Sequence, residues 1–190
     1  MDDGSSDNTA QEAARADARV ITLQDNQGKG VALRTGILAS SGRWLVFLDA
    51  DGQDDPAEIP VLLNAANDNV SMVNGSRFMG HMEKGAISRP NWFGNLMITG
   101  IFDLCFGTRI TDTQAGFRVI DGRLARALPL VSQEYEIETE MLAKVLRRGL
   151  KVIEIPVNRY QRAAGTTDFR RIRNGLRILR TIFRERVRRP

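Results

Sequence analysis

The chain has 190 residues, of which 42% are hydrophobic, and a formal net charge of +4; these values are typical of one globular domain with a real core. Its single cysteine, Cys105, excludes an internal disulfide and any metal site made of several cysteines. The first residues are acidic and polar, and no apolar run reaches the roughly 20 residues of a membrane span, so the sequence predicts neither a signal peptide nor a transmembrane helix.

Charge is distributed unevenly along the chain. From Tyr160 to Pro190 arginines are frequent and only Asp168 and Glu185 are acidic, whereas the first third of the chain is rich in acids. A basic tail of this kind favours an anionic partner. A membrane surface, a phosphate-bearing substrate and nucleic acid are the alternatives that charge alone leaves open.

In the first part of the chain, segments of helical and of strand character alternate. This alternation is typical of a layered α/β sheet with parallel strands. Helices are predicted over residues 9–18, 31–40 and 57–67, and strands over residues 19–23, 44–48 and 70–73.

The remainder is predicted to be mainly helical. Residues 78–89 are expected to form a mobile loop, residues 110–120 a polar loop that feeds a strand, and residues 159–168 a basic loop. The last helix is amphipathic, because its apolar residues recur at helical spacing. Helices are predicted over residues 90–106, 121–128, 134–148 and 170–189, and a strand over residues 151–157.

Two acids follow the apolar run from Trp44 to Leu48 at a spacing of two residues. Asp49 and Asp51 therefore lie at the carboxyl end of a buried strand, where open α/β sheets bind ligands. Paired carboxylates also suit a hard divalent cation, which takes oxygen ligands and often bridges to substrate phosphates. Taken alone, the same pair is more often a solvated acidic turn than a metal site.

Six motifs that occur in a fixed order favour the metal site over the solvated turn. Together they resemble the family 2 inverting glycosyltransferases, in particular the branch that acts on polyprenyl and dolichyl phosphates, over nearly the whole chain. Thr166 stands where the family usually has Ser. The motifs are Asp2-Asp3-Gly4-Ser5, Asn26 to Gly36, Asp49-Ala50-Asp51-x-Gln53-Asp54-x-Pro56, Gly75-Ser76-Arg77, Asp112 to Arg118, and Glu154 to Thr166.

This resemblance implies a fold and an activity. The fold is GT-A-like, a layered sheet with helices on both faces, with residues 1–169 as the catalytic domain and residues 170–190 as a basic amphipathic helix. The activity is transfer of mannose or glucose from GDP-mannose or UDP-glucose to a polyprenyl phosphate, assisted by Mg²⁺ or Mn²⁺. A homo-oligomer is an alternative arrangement, and no nucleic-acid partner is expected.

The resemblance also assigns roles to individual residues. For the metal it implies Asp49, Asp51 and Gln53; for the donor, Asp2, Asp3, Ser5, Lys29, Asp49 and Ala50; for the acceptor phosphate, Arg89, Arg118, Arg159, Arg162 and Thr166; and for catalysis, Asp51, Arg118 and Arg162.

Other interpretations of these residues stay open. Arg118 could form a structural ion pair with Asp112, and Lys29 and Arg162 could be solvated loop residues. His81, the only histidine, is expected to be an exposed loop residue rather than a catalytic base. The acids Glu136, Glu138 and Glu140 could shape a sugar pocket, although a solvated helix face is expected for at least one of them.

Members of the resembled family carry a strand, a helix and a second strand before the Asp2 loop, and this sequence has none of them. We expect the neighbouring strands to be left with unpaired backbone groups and the chain alone to be poorly stable or weakly active. The alternatives to the lipid-phosphate transferase are therefore an inactive remnant with a membrane-binding tail and a family 2 transferase that acts on a saccharide hydroxyl. The expected location is the cytoplasmic face of the membrane, with peripheral contact through the basic helix.

Overall fold

The computed structural model describes residues 1–162 and 171–187. Within these residues the chain forms a four-stranded sheet, a 3₁₀ turn at Pro56–Glu58 and α-helices on both sides of the sheet. The strands are β1 (Trp44–Phe47), β2 (Met72–Ser76), β3 (Arg118–Asp121) and β4 (Val152–Pro156), in the spatial order β1-β3-β2-β4. The helices are α1 (Thr9–Arg15), α2 (Lys29–Ala39), α3 (Ile59–Ala65), α4 (Arg89–Phe106), α5 (Gly122–Ala127), α6 (Glu136–Arg147) and α7 (Arg171–Val187).

The sheet is mixed rather than parallel. Strands β2 and β4 run parallel, but β3 runs antiparallel to both β1 and β2. Arg118, the first residue of β3, pairs with Phe47, the last residue of β1. The prediction of parallel strands is therefore wrong for β3, because α4 and the loop after it return the chain to the end of the sheet where β1 stops.

Side chains alternate between the two faces of the sheet, as the two-residue period of a strand requires. Met72 and Ile120 enter a core shared with α4, α6 and α7. Val73 and Val119 enter a second core together with Leu62 of α3. Helices therefore cover both faces, which confirms the layered architecture expected from the sequence.

Strand β1 lies at one margin of the sheet. No backbone hydrogen bond joins its outer edge to another segment within residues 1–162 and 171–187. The strand predicted over residues 19–23 is wrong, because this segment makes only an isolated parallel bridge, between Asp2 and Thr22. A short segment of this kind has no neighbouring strand along which to extend its ladder.

The segment expected to be a loop over residues 78–89 is tied to the end of the sheet. Met82 and Arg159 form a parallel bridge, in which Glu83 N donates to Arg159 O at 2.9 Å and Arg159 N to His81 O at 2.9 Å. The boundary expected between residues 169 and 170 lies outside the described residues.

A buried ionic cluster joins α7 to α6. Glu140 and Glu185 are each 0% exposed, so both carboxylates need a cationic partner. Lys144 Nζ lies 2.8 Å from Glu140 Oε1, and Arg147 Nη1 lies 3.1 Å from Glu185 Oε2. Arg184 contacts both acids, at 3.3 Å and 3.1 Å. The cluster fixes α7 against the domain and so sets the position of its first turn.

We expect Glu185→Gln to lower the free energy of unfolding by about 3 kcal/mol, because it leaves buried cations without their counter-charge. Urea denaturation followed by circular dichroism measures this change. The control is Glu12→Gln, which removes the exposed Glu12–Arg15 pair and should have little effect. Equal effects of the two substitutions would contradict a stabilising role for the cluster.

Candidate functional site

A cleft of about 1300 Å³ opens along the outer edge of β1 and across the loops that follow the strands. Its walls also include the first turns of α2 and α7 and the segment that leads into α6. The cleft brings together most of the site residues expected from the sequence, namely Asp3, Lys29, Asp49, Ala50, Asp51, Gln53, Arg159 and Arg162.

Asp49 lies at the centre of the acidic side of the cleft. Lys29 Nζ is 2.7 Å from Asp49 Oδ1 and 2.6 Å from Glu138 Oε1, so one ammonium bridges two carboxylates. A Cβ atom at residue 116 would lie only 2.7 Å from Asp49 Oδ2. A side chain at position 116 would therefore displace the Asp49 carboxylate from this position.

The Asp49–Lys29 pair shifts both pKa values in favour of the charged forms. Burial opposes ionisation of Asp49, but Lys29 outweighs it and lowers the pKa of this carboxyl below 3.8. Burial likewise favours a neutral amine at Lys29, yet Glu138 and Asp49 raise its pKa above the ordinary value. Both groups are therefore ionised near neutral pH.

Asp51 faces the arginines that follow β4. Its Oδ2 lies 2.9 Å from Arg162 Nη2 and 3.8 Å from Arg159 Nη2. Gln53 N donates to Asp51 Oδ1 at 3.1 Å and closes the turn. The acidic strand end is thus not a solvated turn, because each of its two carboxylates contacts a cation from a distant part of the chain.

Gln53 is buried and holds three segments together. Its Nε2 donates to Ala86 O and Tyr160 O, both at 3.0 Å, while its Oε1 accepts from Arg159 Nη2 at 2.9 Å. A role as a metal ligand stays a prediction, and the amide oxygen faces an arginine in this arrangement. No group of three or more histidine, cysteine or acidic side chains in the described parts of the chain could hold a metal ion.

The remaining pair, Asp49 and Asp51, fits Mg²⁺ or Mn²⁺ if substrate phosphates complete the set of oxygen ligands. Mg²⁺ in particular binds through one or two carboxylates when substrate phosphates supply further oxygens. The protein side of such a site therefore needs no third acid. The oxygen ligands suit both ions and do not distinguish between them.

Arg159 is held firmly in the segment that follows β4. Its Nη1 lies 2.5 Å from Asp54 Oδ1, and both side chains are almost fully buried. Burial raises the pKa of Asp54 above 3.8, although Arg159 opposes this shift. Arg162 is more exposed than Arg159 and has Asp51 as its ion-pair partner.

Arg77 and Asp112 form a second ion pair, in which Asp112 is buried and Arg77 also lines the cleft. Arg77 Nε donates to Asp112 Oδ2 at 2.6 Å, and its Nη2 donates to Oδ1 at 2.8 Å. Glu154 accepts from Asp112 N at 3.1 Å and from Thr111 N at 2.6 Å. The loop before β3 is therefore fixed, and the ion pair suggested between Asp112 and Arg118 does not form.

Arg118 lies behind the cleft and does not line it. It is 1% exposed, and burial lowers its pKa. Its Nε donates to Ala115 O at 2.9 Å and its Nη1 to Glu138 O at 2.9 Å. Direct contact with an acceptor phosphate would require these bonds to break, so in this arrangement Arg118 positions the Gly116 loop against α6.

The N-terminal acids organise the loop that precedes α2. Asp3 accepts from Gln27 N and from Gly28 N, both at 2.9 Å. Asp2 is buried, and its Oδ1 accepts from the backbone N–H of Ser5 at 3.2 Å. These contacts hold the two glycine-containing loops together beside Lys29.

Three other expectations have different outcomes. The solvated face expected for at least one acid of α6 is wrong, because Glu136, Glu138 and Glu140 are 9%, 5% and 0% exposed. Arg89 is exposed at the start of α4 and does not line the cleft, although its neighbour Ser88 does. Thr166 lies outside the described residues.

Sequence reasoning missed the link between Lys29 and Glu138. Their local sequences gave no signal for this contact, because residues more than a hundred positions apart meet only when α2 and α6 pack. It also missed Arg173 and Asn174, which bring the first turn of α7 to the cleft.

Comparison with known proteins gives consistent matches. The family model described as glycosyl transferase family 2 matches residues 1–126. The chain is 31% identical to glycosyltransferase AglJ of Haloferax volcanii, covering 97% of this chain and 61% of that protein. It is 30% identical to the dolichyl-phosphate hexose transferase of the same organism, covering 96% and 78%. It is 31% identical to the human dolichyl-phosphate beta-glucosyltransferase, covering 83% and 54%. The chain thus spans less than two thirds of the length of AglJ and of the human enzyme.

Among solved structures, glucosyl-3-phosphoglycerate synthase from Mycobacterium tuberculosis, crystallised with Mn²⁺, UDP and phosphoglyceric acid, has a similar fold. The TM-score is 0.76, with 19% identity, over 98% of this chain and 66% of that chain. The likeness confirms the GT-A-like fold expected from the sequence.

The Asp49–Lys29 pair predicts a pH dependence of stability. Because the pKa of Asp49 lies below 3.8 in the folded chain, its stabilisation is complete above the unfolded pKa and is lost as the pH falls through the folded pKa. We expect the difference in unfolding free energy between wild type and Asp49→Asn to narrow as the pH falls from about 6 to about 2. Urea denaturation at each pH measures this free-energy difference, and Asp68→Asn on the exposed surface is the control. A constant difference would contradict the assignment.

Proposed function

The chain belongs to glycosyl transferase family 2, and on that premise we propose that it transfers a hexose from a nucleoside diphosphate to the phosphate of a polyprenyl lipid. The observation that carries this proposal is the composition of the cleft. Two carboxylates at the end of β1 face cations from two directions, Lys29 on one side and Arg159 with Arg162 on the other. Such a cleft can accept two phosphate-bearing substrates on opposite sides of one acidic centre.

The names of the relatives support the acceptor. Two of them are named as dolichyl-phosphate hexose or beta-glucosyltransferases. UDP is bound in the M. tuberculosis synthase of similar fold, which makes UDP-glucose the first donor to test and GDP-mannose the second.

On the donor side, Asp49 and Asp51 would hold Mg²⁺ or Mn²⁺. When bound, such an ion stabilises the negative charge that develops on the departing diphosphate. Asp3 keeps the loop before Lys29 closed, and Lys29 lies close enough to Asp49 to reach an anion beside it. Gly116 leaves the space that the Asp49 carboxylate occupies.

On the acceptor side, an oxygen of the lipid phosphate attacks the anomeric carbon while the bond from that carbon to the diphosphate breaks. The attacking phosphate is already ionised near neutral pH, so no general base has to remove a proton. Arg162 supplies a guanidinium that suits bidentate phosphate binding. Arg159, held by Asp54 and Gln53, keeps the neighbouring strand end in place.

Metal-dependent donor binding tests the proposal. With Mn²⁺ present, UDP or UDP-glucose should raise the melting temperature, because a ligand at about 100 times its Kd adds about 2.7 kcal/mol to stability. Asp49→Asn and Asp51→Asn should each remove the metal-dependent part of the shift. The exposed Asp68→Asn is the matched control. A metal-dependent shift that survives both cleft substitutions would rule out these acids as ligands. A shift seen only with GDP-mannose would identify GDP-mannose, rather than UDP-glucose, as the donor.

The outer faces of α4 and α7 support contact with a membrane. The core-facing residues Phe102 and Ile182 enter the same core, so the opposite faces of both helices point away from the sheet. No helix in the described parts of the chain is long and apolar enough to cross a bilayer. The exposed apolar residues are Trp92, Phe93, Leu96, Met97 and Leu104 on α4 and Ile172, Leu176, Phe183 and Val187 on α7.

On α7 these exposed residues are spaced by four, seven and four positions, which places them on one face of the helix, with Arg180 among them and Arg186 at one end. An apolar stripe flanked by arginines is the pattern of a helix that lies in an anionic lipid surface. Because α4 and α7 also begin at the cleft, such docking would bring the cleft to the level of the lipid phosphates. We therefore propose that the protein docks on a membrane surface, and we propose the cytoplasmic face because the anionic lipids of that leaflet attract arginines.

Vesicle co-sedimentation tests this surface. The chain should bind vesicles that contain anionic lipid and bind neutral vesicles less, with salt reducing the difference. The double substitution Leu176→Gln and Phe183→Gln should weaken binding about tenfold or more, since each side chain contributes more than about 1.4 kcal/mol when buried. Leu38→Gln, exposed on α2, is the control. If the double variant instead changes only the oligomeric state in light scattering, the face joins two copies of the chain.

A further inference from the structure

Both carboxylates assigned to the metal already contact a cation of the chain itself. Lys29 Nζ lies 2.7 Å from Asp49 Oδ1, and Arg162 Nη2 lies 2.9 Å from Asp51 Oδ2. These contacts occupy one oxygen of each carboxylate proposed to bind Mg²⁺ or Mn²⁺ and neutralise its charge. A metal ion and the two side chains therefore compete for one pair of acids.

Lys29 is placed so that it can leave without disturbing the backbone. Its residue begins α2, where Asp3 holds the preceding Gly28 N–H at 2.9 Å. The ammonium is carried on a flexible four-carbon chain and is also 2.6 Å from Glu138 Oε1. If it stayed on Asp49 beside a divalent ion, two cations would share one carboxylate, and their repulsion is strong in a partly buried cleft.

Arg162 and Arg159 differ in how firmly they are held. Arg159 contacts Asp54 at 2.5 Å and Gln53 at 2.9 Å, and its side chain is 10% exposed. Arg162 contacts Asp51 with a side chain that is 33% exposed. Of the two arginines, Arg162 is the one that can move away from Asp51 when that carboxylate takes another cation.

We propose that Lys29 and Arg162 are internal counter-ions, which neutralise Asp49 and Asp51 in the metal-free protein and are released when these acids bind a divalent cation. The proposal rests on the proposed function, because it uses the same two acids as metal ligands. Once released, the Lys29 ammonium is free to bind the donor diphosphate, and the Arg162 guanidinium to bind the acceptor phosphate. Loading of the donor side therefore makes the acceptor-side cation available, which orders the binding of the two substrates.

This role differs from that of a residue that only positions Asp49. If Lys29 competes with the metal, its removal strengthens binding of the metal alone. If Lys29 instead holds Asp49 in the geometry that binds the metal, removal of Lys29 weakens metal binding. The sign of the change in metal affinity therefore separates the two roles.

The experiment is a Mn²⁺ titration of the full chain without nucleotide, in which electron paramagnetic resonance measures free Mn²⁺. Lys29→Met and Arg162→Met should each bind Mn²⁺ about tenfold more tightly than wild type, since each removes one competing charge. The matched control is Lys151→Met, which replaces an exposed lysine just before β4. Its affinity for Mn²⁺ should equal that of wild type. With UDP present, Lys29→Met should lose most of this gain in Mn²⁺ affinity, because the variant has no ammonium to bind the diphosphate.

A second variant guards against misfolding. Lys29→Met leaves the buried Glu138 without its cation, so the double variant Lys29→Met with Glu138→Gln restores the charge balance and should show the same tighter Mn²⁺ binding. Unchanged or weaker Mn²⁺ binding in folded Lys29 variants and in Arg162→Met overturns the counter-ion proposal, while Mn²⁺-dependent UDP binding by wild type still supports the proposed function. Absence of Mn²⁺ binding by wild type even with UDP overturns both.

Discussion

Compensation of charge at the end of β1 is the interaction on which the cleft depends. Asp49 and Asp51 are partly removed from water, and a buried carboxylate without a counter-charge is costly. The chain supplies the cations from the start of α2 and from the segment after β4. Segments that are far apart in sequence are therefore held around one acidic centre before any substrate is present.

A second set of contacts, in the wall of the cleft and behind it, keeps that centre in place. Glu154 and Arg77 bind the loop around Asp112, and Arg118 ties Ala115 to α6 through backbone carbonyls. The loop then passes Gly116 directly beneath Asp49. Arg118 is buried and the other two side chains are half-buried, and because they are hydrogen-bonded they hold loop geometry that hydrophobic packing alone would not define.

Helix α7 connects the cleft to the outer surface. Its inner face is fixed by Ile178, Ile182 and the ionic cluster at Glu185, while its outer face leaves an apolar stripe exposed. Its first turn lines the cleft. One rigid helix therefore joins the face proposed to contact lipid to the site proposed to bind the lipid phosphate, which sets the depth of the cleft relative to a bilayer.

The sequence by itself determined the layered fold, the acidic pair at the end of β1 and the amphipathic stripe of α7, because apolar spacing records which side chains leave water. Only the tertiary structure decided that β3 runs antiparallel, that Lys29 bridges Asp49 and Glu138, and that Arg118 binds backbone carbonyls rather than facing the cleft. Local periodicity carries no information about which distant charge neutralises a given acid or about the direction in which a strand enters the sheet. Both are settled only when helices and loops pack, because the cost of burying each charge then selects its partner.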